Sequence, residues 1–346
     1  MAREKIIGPG GPSDDDRKRD AALRPKLLRE VIGQKKVAER LQIAVDASRK
    51  LKEPLGHILF DGPPGLGKTT FATVLPNELS TTIQMTSGPA LSKPADMLPF
   101  LTNLEEGSIL FIDEIHRMPR VVEEFIYPAM EDFRIDIVLG EGVNARTISM
   151  TLKRFTLIGA TTRGGMLSGP MRDRFKMREH LDYYTIGELA QIVGINAKKL
   201  NTPVSDGACN EIARRSRGTP RVANSLLHWA RIYSAARSDG TISEPLAHEA
   251  LDVKEVDADG LDKNDRRYLE VLIDVFSGGP TGVEAIGATM NISTDTLTDE
   301  IEPYLLREQF LVRSPRGRMA TPKAFALLQK PFPKPRPDEK GPSLFD

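Results

Sequence analysis

The stretch 62-GPPGLGKTT-70 decides the fold expected for this chain. It lies between an apolar run, HILF (57–60), and a helix-compatible stretch, FATVL (71–75). It fits the pattern G-x-x-x-x-G-K-[ST]. In that pattern glycines let backbone N–H groups turn toward one anion, the lysine reaches the outer phosphates, and the hydroxyl can ligate magnesium. The stretch predicts a phosphate-binding loop between a strand and a helix; a Gly/Pro-rich surface turn is the alternative.

The composition limits the class of protein. The 346 residues, 40% of them apolar, are too many for one ordinary core and predict two or three domains. Equal numbers of basic and acidic residues, 48 each, argue against a surface coated in positive charge but allow a local basic patch. The single cysteine, Cys209, cannot form an internal disulfide and is expected to be a buried thiol.

Neither a membrane span nor a signal peptide is predicted. Charge interrupts apolar runs such as SILFIDEI (108–115) well before the length of a span, and the N-terminus lacks an apolar core. A cytoplasmic location without membrane contact is therefore expected. The ends, 1–20 and 331–346, are rich in Pro and charge and are predicted to be disordered tails.

Short apolar runs alternate with helical patterns between about 21 and 184. Four runs have strand character: HILFDG (57–62), TTIQMTS (81–87), SILFIDE (108–114) and FTLIGATT (155–162). The alternation predicts an α/β fold, with a parallel sheet flanked by helices and ligands at the carboxyl ends of the strands.

Polar side chains follow two of these strands. Asp113 and Glu114 end the third run, where an aspartate can hold a magnesium shell and a glutamate can polarise an attacking water. Thr162 ends the fourth run, and its hydroxyl can orient water or the terminal phosphate. The two acids, Asp113 and Glu114, favour hydrolysis by water. The alternative is a pair of solvated surface carboxylates without a function. His116 is expected to be structural, because nothing near it suggests a ligand set.

Two arginines, Arg172 and Arg174, follow in the segment MRDRF (171–175). An arginine just outside its own site is a candidate finger, which a neighbouring subunit supplies in trans to stabilise charge on the transferring phosphoryl group. A surface salt bridge is the alternative. The arrangement indicates a ring.

Two further regions follow the predicted sheet. The first, 185–255, shows helical periodicity, and the second, 256–330, has three helices and a strand-turn-strand wing, which is typical of a winged-helix domain. Acidic side chains mark its third helix, at Asp295, Asp299, Glu300 and Glu302, and basic ones mark its wing, at Arg313, Arg316 and Arg318. This charge distribution predicts sequence-independent contact of the wing with a DNA backbone. A protein-docking surface is the alternative.

The stretch 133–152, FRIDIVLGEGVNARTISMTL, alternates apolar and polar residues around a Gly-Glu-Gly turn. The alternation predicts a β-hairpin with one apolar face. That face either packs on its own domain or binds a partner.

Several segments are typical of far fewer proteins than the phosphate loop is. LRPKLLREVIGQ (23–34), FIDEIHR (111–117), VVEEFIYPAMEDFRIDI (121–137), RGTPRVAN (217–224) and PRGRMAT (315–321) occur in the order seen in the RuvB family. Members of that family are AAA+ motors that drive branch migration of Holliday junctions with RuvA. The resemblance covers about residues 20–322. It implies an AAA+ ATPase core over 21–184, a helical lid over 185–255 and a winged-helix DNA-binding domain over 256–330.

The resemblance also assigns site residues. ATP contacts are implied at Leu23, Arg24, Gly65, Gly67, Lys68, Thr69, Thr70, Tyr184 and Arg221, and catalytic roles at Lys68, Asp113, Glu114, Thr162, Arg174 and Arg221. Mg²⁺ would be held by Thr69 and Asp113. Arg174 resembles the trans-acting finger, and Arg221 a sensor that reports phosphate loss. Glu131, Asp132 and Phe133 match a segment that reaches nucleotide from the adjoining subunit.

Partners are implied in the same way. They are duplex DNA at four-way junctions, RuvA, RuvC as a further candidate, and identical subunits in a ring, expected to be a hexamer. In RuvB-like proteins the hairpin projects to grip RuvA. The candidate contacts are its apolar residues Ile135, Ile137, Ile148 and Met150.

Two other functions stay open on the sequence. A clamp-loader-like AAA+ ATPase that remodels a protein shares the nucleotide motifs but usually ends in a helical collar. A nucleotide-switched DNA-binding regulator needs a base-reading helix, which the acidic helix argues against. The chain also departs from the family pattern at Thr294, where many relatives have an arginine thought to touch DNA, and at Lys176, where glycine is usual.

Overall fold

The computed structural model describes residues 22–139 and 146–333. The chain divides into two compact units, Met1–Ala247 and His248–Asp346. The first predicted tail, most of the second, and the predicted Gly-Glu-Gly turn of the hairpin lie outside the described residues. Over the two described ranges, every helix is too short or too polar to span a bilayer.

The first unit is built on a parallel sheet and a separate hairpin. Its strands are β1 Ile58–Asp61, β2 Ile83–Ser87, β3 Ile109–Asp113, β4 Arg134–Leu139, β5 Arg146–Thr151, β6 Thr156–Thr161 and β7 Met177–His180. The sheet has five strands in the order β2-β3-β6-β1-β7, and all neighbours pair in parallel. The predicted parallel α/β sheet is confirmed.

One helix precedes β1, and further helices lie between most of the strands of the sheet and after it. They are α1 Lys35–Leu51, α2 Lys68–Leu79, α3 Pro94–Thr102, α4 Arg120–Glu131 and α5 Gly169–Arg174, and then the lid helices α6 Ile186–Lys199, α7 Asp206–Arg214, α8 Pro220–Arg237 and α9 Glu244–Val253. Short 3₁₀ turns lie at Leu28–Glu30, Gly88–Ala90, Ile115–Arg117 and Gly164–Met166. The helical character predicted after the sheet is confirmed, and α9 crosses the division between the two units.

The middle of the sheet explains why its strands read as unbroken apolar runs. β6 is buried at every residue, and β1 and β3 are buried at all but their last residue. Strands covered on both faces need apolar side chains on both faces. Because β3, β6 and β1 are neighbours, their carboxyl ends bring the phosphate loop, Asp113 and Thr162 to one edge of the sheet.

The predicted hairpin is formed by β4 and β5, with Ile135 opposite Met150 and Ile137 opposite Ile148. Ile135 is fully buried in the main core, and Ile137 and Met150 pack against that core half-buried. Ile148 is 51% exposed. The expectation that Ile135 offers a partner contact is therefore wrong, because its side chain is used to attach the hairpin to its own domain.

The second unit is a winged helix. Its elements are α10 Lys263–Glu270, a π-helical turn Val271–Val275, α11 Val283–Met290, α12 Thr294–Thr296, a π-helical turn Leu297–Ile301, α13 Glu302–Arg307, β8 Leu311–Ser314, β9 Gly317–Ala320 and α14 Pro322–Leu327. β8 and β9 pair antiparallel as the wing. Leu269, Leu272 and Ile273 are buried in this unit's own core, and Phe276 packs against it.

Candidate active site

Three glycines shape the phosphate loop. Gly62, Gly65 and Gly67 have φ of +132°, +80° and +104°, where a side chain is strained. A Cβ on Gly62 would also lie 2.6 Å from the carbonyl oxygen of Leu181. The loop therefore requires glycine for its backbone, which exposes N–H groups to an anion.

Lys68 begins α2 and lies folded over the loop. Its side chain is largely buried, and Nζ donates to the carbonyl oxygens of Gly62 (2.7 Å) and Pro63 (2.9 Å). Burial lowers the pKa of Lys68 from 10.5 to about 8, against the opposing influence of Glu114 and Asp113. A phosphate beside this amine would favour its charged form.

The acid pair lies at the end of β3. Glu114 has a left-handed backbone (φ +49°), and its N–H donates to Asp113 Oδ1 (3.0 Å). Glu114 Oε2 accepts from Thr162 Oγ1 (3.4 Å) and lies 3.3 Å from His116 Nε2. The other ring nitrogen of His116 is 2.8 Å from Thr161 Oγ1. His116, expected to be structural, thus bridges the glutamate and the neighbouring strand. The spacing D-E-x-H does not reveal this, because Thr161 comes from another strand.

A cavity of about 160 Å³ covers this edge of the sheet. Its lining includes ten of the positions singled out from the sequence: Arg24, Gly65, Gly67, Lys68, Thr69, Thr70, Asp113, Glu114, Thr162 and Arg221. Residues spread over nearly 200 positions of the chain therefore surround one space that is sized and charged for phosphates.

A second cavity of about 420 Å³ adjoins the first and shares five lining residues with it: Arg24, Gly67, Thr70, Pro220 and Asn224. Leu23 and Tyr184 also line it, together with lid residues of α6. Its volume is in the range of small-ligand sites. A nucleotide with phosphates in the first cavity would have its base and sugar here.

Tyr184 is fixed on both sides. Its hydroxyl donates to the carbonyl oxygen of Leu66 (3.2 Å), and burial raises its pKa to about 12, so it stays a neutral donor. Gly33 lies against the ring, and a Cβ there would come within 2.6 Å of Tyr184 Cε1. The sequence analysis did not single out Gly33. The available indication was its position in VIGQ (31–34), at the end of the family segment LRPKLLREVIGQ (23–34).

The lid contacts the phosphate loop directly. α8 begins at Pro220, and the N–H of Arg221 donates to the carbonyl oxygen of Gly65 (3.4 Å). Asn224, one turn further on, lines both cavities. A single hydrogen bond therefore connects the phosphate loop to the lid, and a change at the phosphates can be transmitted through it.

Arg174 lines neither of these two cavities. Its Nη2 is 3.0 Å from Glu131 Oε1, its Nη1 donates to the carbonyl oxygen of Pro170 (2.7 Å), and its guanidinium lies over the ring of Tyr127. Phe133 packs edge-on against Phe155. The fold therefore places the candidate finger next to the segment 131–133, on a surface apart from the subunit's own nucleotide cavities.

The wing arginines are not equivalent. Glu302 is fully buried; Arg318 Nε donates to its Oε1 (3.0 Å) and Arg313 Nε to its Oε2 (2.8 Å). Tyr268 also donates to Oε1 (2.9 Å). Arg316 is exposed at the turn. Glu302, which the sequence groups with the acidic side chains of the third helix, thus lies inside the unit and pairs with two of the three wing arginines.

The sheet order, the phosphate loop with its acid pair and the helical lid define a P-loop ATPase of the AAA+ class, here followed by a winged helix. Family models agree along the chain. Residues 23–181 match the Holliday junction DNA helicase RuvB P-loop domain, 184–257 the RuvB AAA lid domain and 258–329 the RuvB C-terminal winged helix domain. The chain belongs to the RuvB family.

Individual relatives agree with the family models. The chain is 59% identical over 314 residues to the Holliday junction branch migration complex subunit RuvB of Rhodopirellula baltica, covering 91% of this chain and 86% of the relative. The Thermotoga maritima RuvB Holliday junction branch migration motor matches with a TM-score of 0.82 at 43% identity, over 90% of this chain and all of the other. A variant of that protein matches with a TM-score of 0.83 at 44% identity.

Proposed function

We propose that this chain hydrolyses ATP to drive branch migration of Holliday junctions, as one subunit of a ring that works with RuvA. The observation that carries the proposal is the single cavity formed by the phosphate loop, the acid pair, Thr162 and the lid residue Arg221, in a chain that also contains a winged helix. The functional limits proposed for the ATPase, lid and winged-helix domains are 21–184, 185–255 and 256–330.

The chemistry follows from the geometry of the cavity. Lys68, once released from the carbonyls it now contacts, binds the outer phosphates. Glu114 polarises the attacking water, and Thr162 holds that carboxylate in place. His116 acts on the same carboxylate oxygen. Each of these groups lies at the carboxyl end of a strand or at the start of α2, where the sheet fixes its position.

Thr69 and Asp113 are suited to hold Mg²⁺. Both line the phosphate cavity, and hydroxyl and carboxylate oxygens are ligands that this ion prefers. One carboxylate oxygen of Asp113 accepts the Glu114 N–H, which orients the group. When bound there, Mg²⁺ supplies neutralisation of the charge on the outer phosphates.

The ring is proposed from Arg174. It pairs with Glu131 and lines neither of the two cavities described above, which supports a role at the nucleotide of a neighbouring subunit. Glu131, Asp132 and Phe133 would take part in the same interface. Six subunits, RuvC as a further partner and a cytoplasmic location are proposed from the family resemblance.

Binding to DNA is proposed through the wing. Arg316 is the exposed cation at its turn, and Arg313, with 45% of its side chain exposed, shares the Glu302 carboxylate with Arg318. Two arginines against one carboxylate leave a net positive charge at the wing. Such a surface favours phosphate contacts over base reading.

Dissociation of a synthetic mobile four-way DNA junction tests the proposal. The chain with ATP, Mg²⁺ and a RuvA protein should dissociate the junction, Lys68→Ala should not, and the matched surface-lysine variant Lys50→Ala should equal the parent. ATPase activity without dissociation, in the presence of an active RuvA, would overturn the proposal and favour remodelling of a protein partner.

A further inference from the structure

The segment YPAMED (127–132) ends α4, and its tyrosine has no part in the nucleotide cavities described above. Glu123, Tyr127 and Glu131 follow each other at intervals of four and so lie on one face of that helix. Each contacts α5 or the residue that caps it. The face holds the short helix that carries Arg174.

The hydroxyl of Tyr127 fixes the start of α5. Ser168 caps this helix, since its Oγ accepts from the N–H of Met171 (3.2 Å). Ser168 Oγ donates its one hydrogen to Glu123 Oε1 (2.5 Å), so the Tyr127 hydroxyl, 3.0 Å away, must be the donor in its contact with Ser168. A chain of three side chains therefore links α4 to the cap of the finger helix.

The ring of Tyr127 supports the end of the same helix. The guanidinium carbon of Arg174 lies 4.0 Å from the ring centroid, which is within the range of a cation–π contact. Its Nη2 meets Glu131 and its Nη1 meets Pro170, and the side chain is only 19% exposed. One residue thus touches both ends of α5, through its hydroxyl at the cap and through its ring at the arginine.

We propose that Tyr127 is a positioning residue for the trans-acting arginine. This inference rests on the proposed function, in which Arg174 acts on a neighbouring subunit's nucleotide. An arginine side chain has many rotamers, and holding it in place removes an entropic cost from the step that needs it. Removal of Tyr127 therefore impairs hydrolysis in the neighbouring subunit and not in its own.

Mixed rings test this directional effect. A Lys68→Ala subunit lacks its own site but donates a finger, and an Arg174→Ala subunit keeps its site but lacks a finger. Neither should hydrolyse ATP alone, whereas a mixture should. Adding Tyr127→Leu to the donor should lower the kcat of the mixture about tenfold, which corresponds to roughly 1.4 kcal/mol. Adding it to the acceptor should leave kcat and KM unchanged.

Two further variants of the subunit that supplies Arg174 distinguish a loss of arginine positioning from a general loss of packing. Tyr127→Phe keeps the ring and loses the hydroxyl, so its loss should be smaller than that of Tyr127→Leu. Phe125→Leu removes a half-buried ring from the same helix and should act like the parent donor. Equal loss from the donor and acceptor positions, no loss from the donor, or a gain would each overturn the proposal. A parent mixture without activity would instead remove the trans role of Arg174, and the positioning role with it.

Discussion

Nucleotide binding should draw a proton from solution through Lys68. Burial holds the pKa of this amine at about 8, compared with 10.5 for an ordinary lysine. The difference corresponds to roughly 3 kcal/mol of protonation free energy. Phosphates placed beside the amine restore the preference for the charged form, so the bound state holds a proton that part of the free protein lacks. Uptake should be near zero at pH 6.5, about half a proton at pH 8 and about 0.9 at pH 9.

Calorimetry of ADP binding in buffers of different ionisation enthalpy measures this uptake directly. The same linkage predicts that the Kd for ADP rises about fivefold from pH 8 to pH 9. Stability changes in the opposite sense to binding: because the folded-state pKa is lowered, the unfolded chain binds more protons between about pH 8 and 10.5, and the contribution of Lys68 to stability increases as pH rises through that window.

Lys68→Arg is the matched control for the proton-uptake prediction. Arginine stays charged throughout this pH range and should show neither uptake nor the rise in Kd. If the parent binds ADP at pH 9 with no uptake, or if Lys68→Arg shows the same uptake, then burial of this amine does not control its protonation and the reasoning is refuted.

Other perturbations should separate the remaining sites. Glu302→Gln leaves the two inner wing arginines without their buried partner. Hydrogen exchange should show that the free energy of unfolding of the winged helix falls by about 2–4 kcal/mol. The affinity for DNA should decrease more steeply with salt concentration if the freed arginines reach phosphates. Ile148→Asp should abolish stimulation by RuvA and leave the Tm and basal ATPase unchanged, whereas Ile135→Asp should lower the Tm by burying a charge. Gly33→Ala should cost about 1–3 kcal/mol through its left-handed backbone and weaken ADP binding, whereas Gly165→Ala, which faces open space, should be neutral in both measurements.

The sheet was predictable where its strands are buried on both faces. β1, β3 and β6 read as apolar runs, and the polar residues that end them marked the site. β7 was missed, because MREH contains only one apolar residue and the side chain that it buries is the charged Glu179. The order β2-β3-β6-β1-β7 depends on crossovers that no local pattern encodes.

The contacts between distant residues were not predictable from spacing. Glu302 reads as one of several surface acids on a helix, yet the fold turns it inward to meet Arg313 and Arg318. Ile135 has the same alternating pattern as Ile148, but the base of the hairpin lies on the core and its outer part does not. A sequence pattern indicates which residues share one face of a helix or strand. Only tertiary packing determines whether that face is buried and which residues cover it.

One continuous segment connects the two halves of the proposed catalytic machinery. It starts with Asp113 and Glu114 in the subunit's own site, passes through the turn that carries His116, and continues as α4 to Tyr127 and Glu131 beneath the finger. α4 has twelve residues and spans about 18 Å. One face of α4 packs against the core through buried residues along its length, including Val122, Ile126 and Met130. If a nucleotide reorients Glu114 and this turn, α4 is the direct route by which the finger offered to the next subunit would shift. In the proposed ring, this segment would link an occupied site to the neighbouring one.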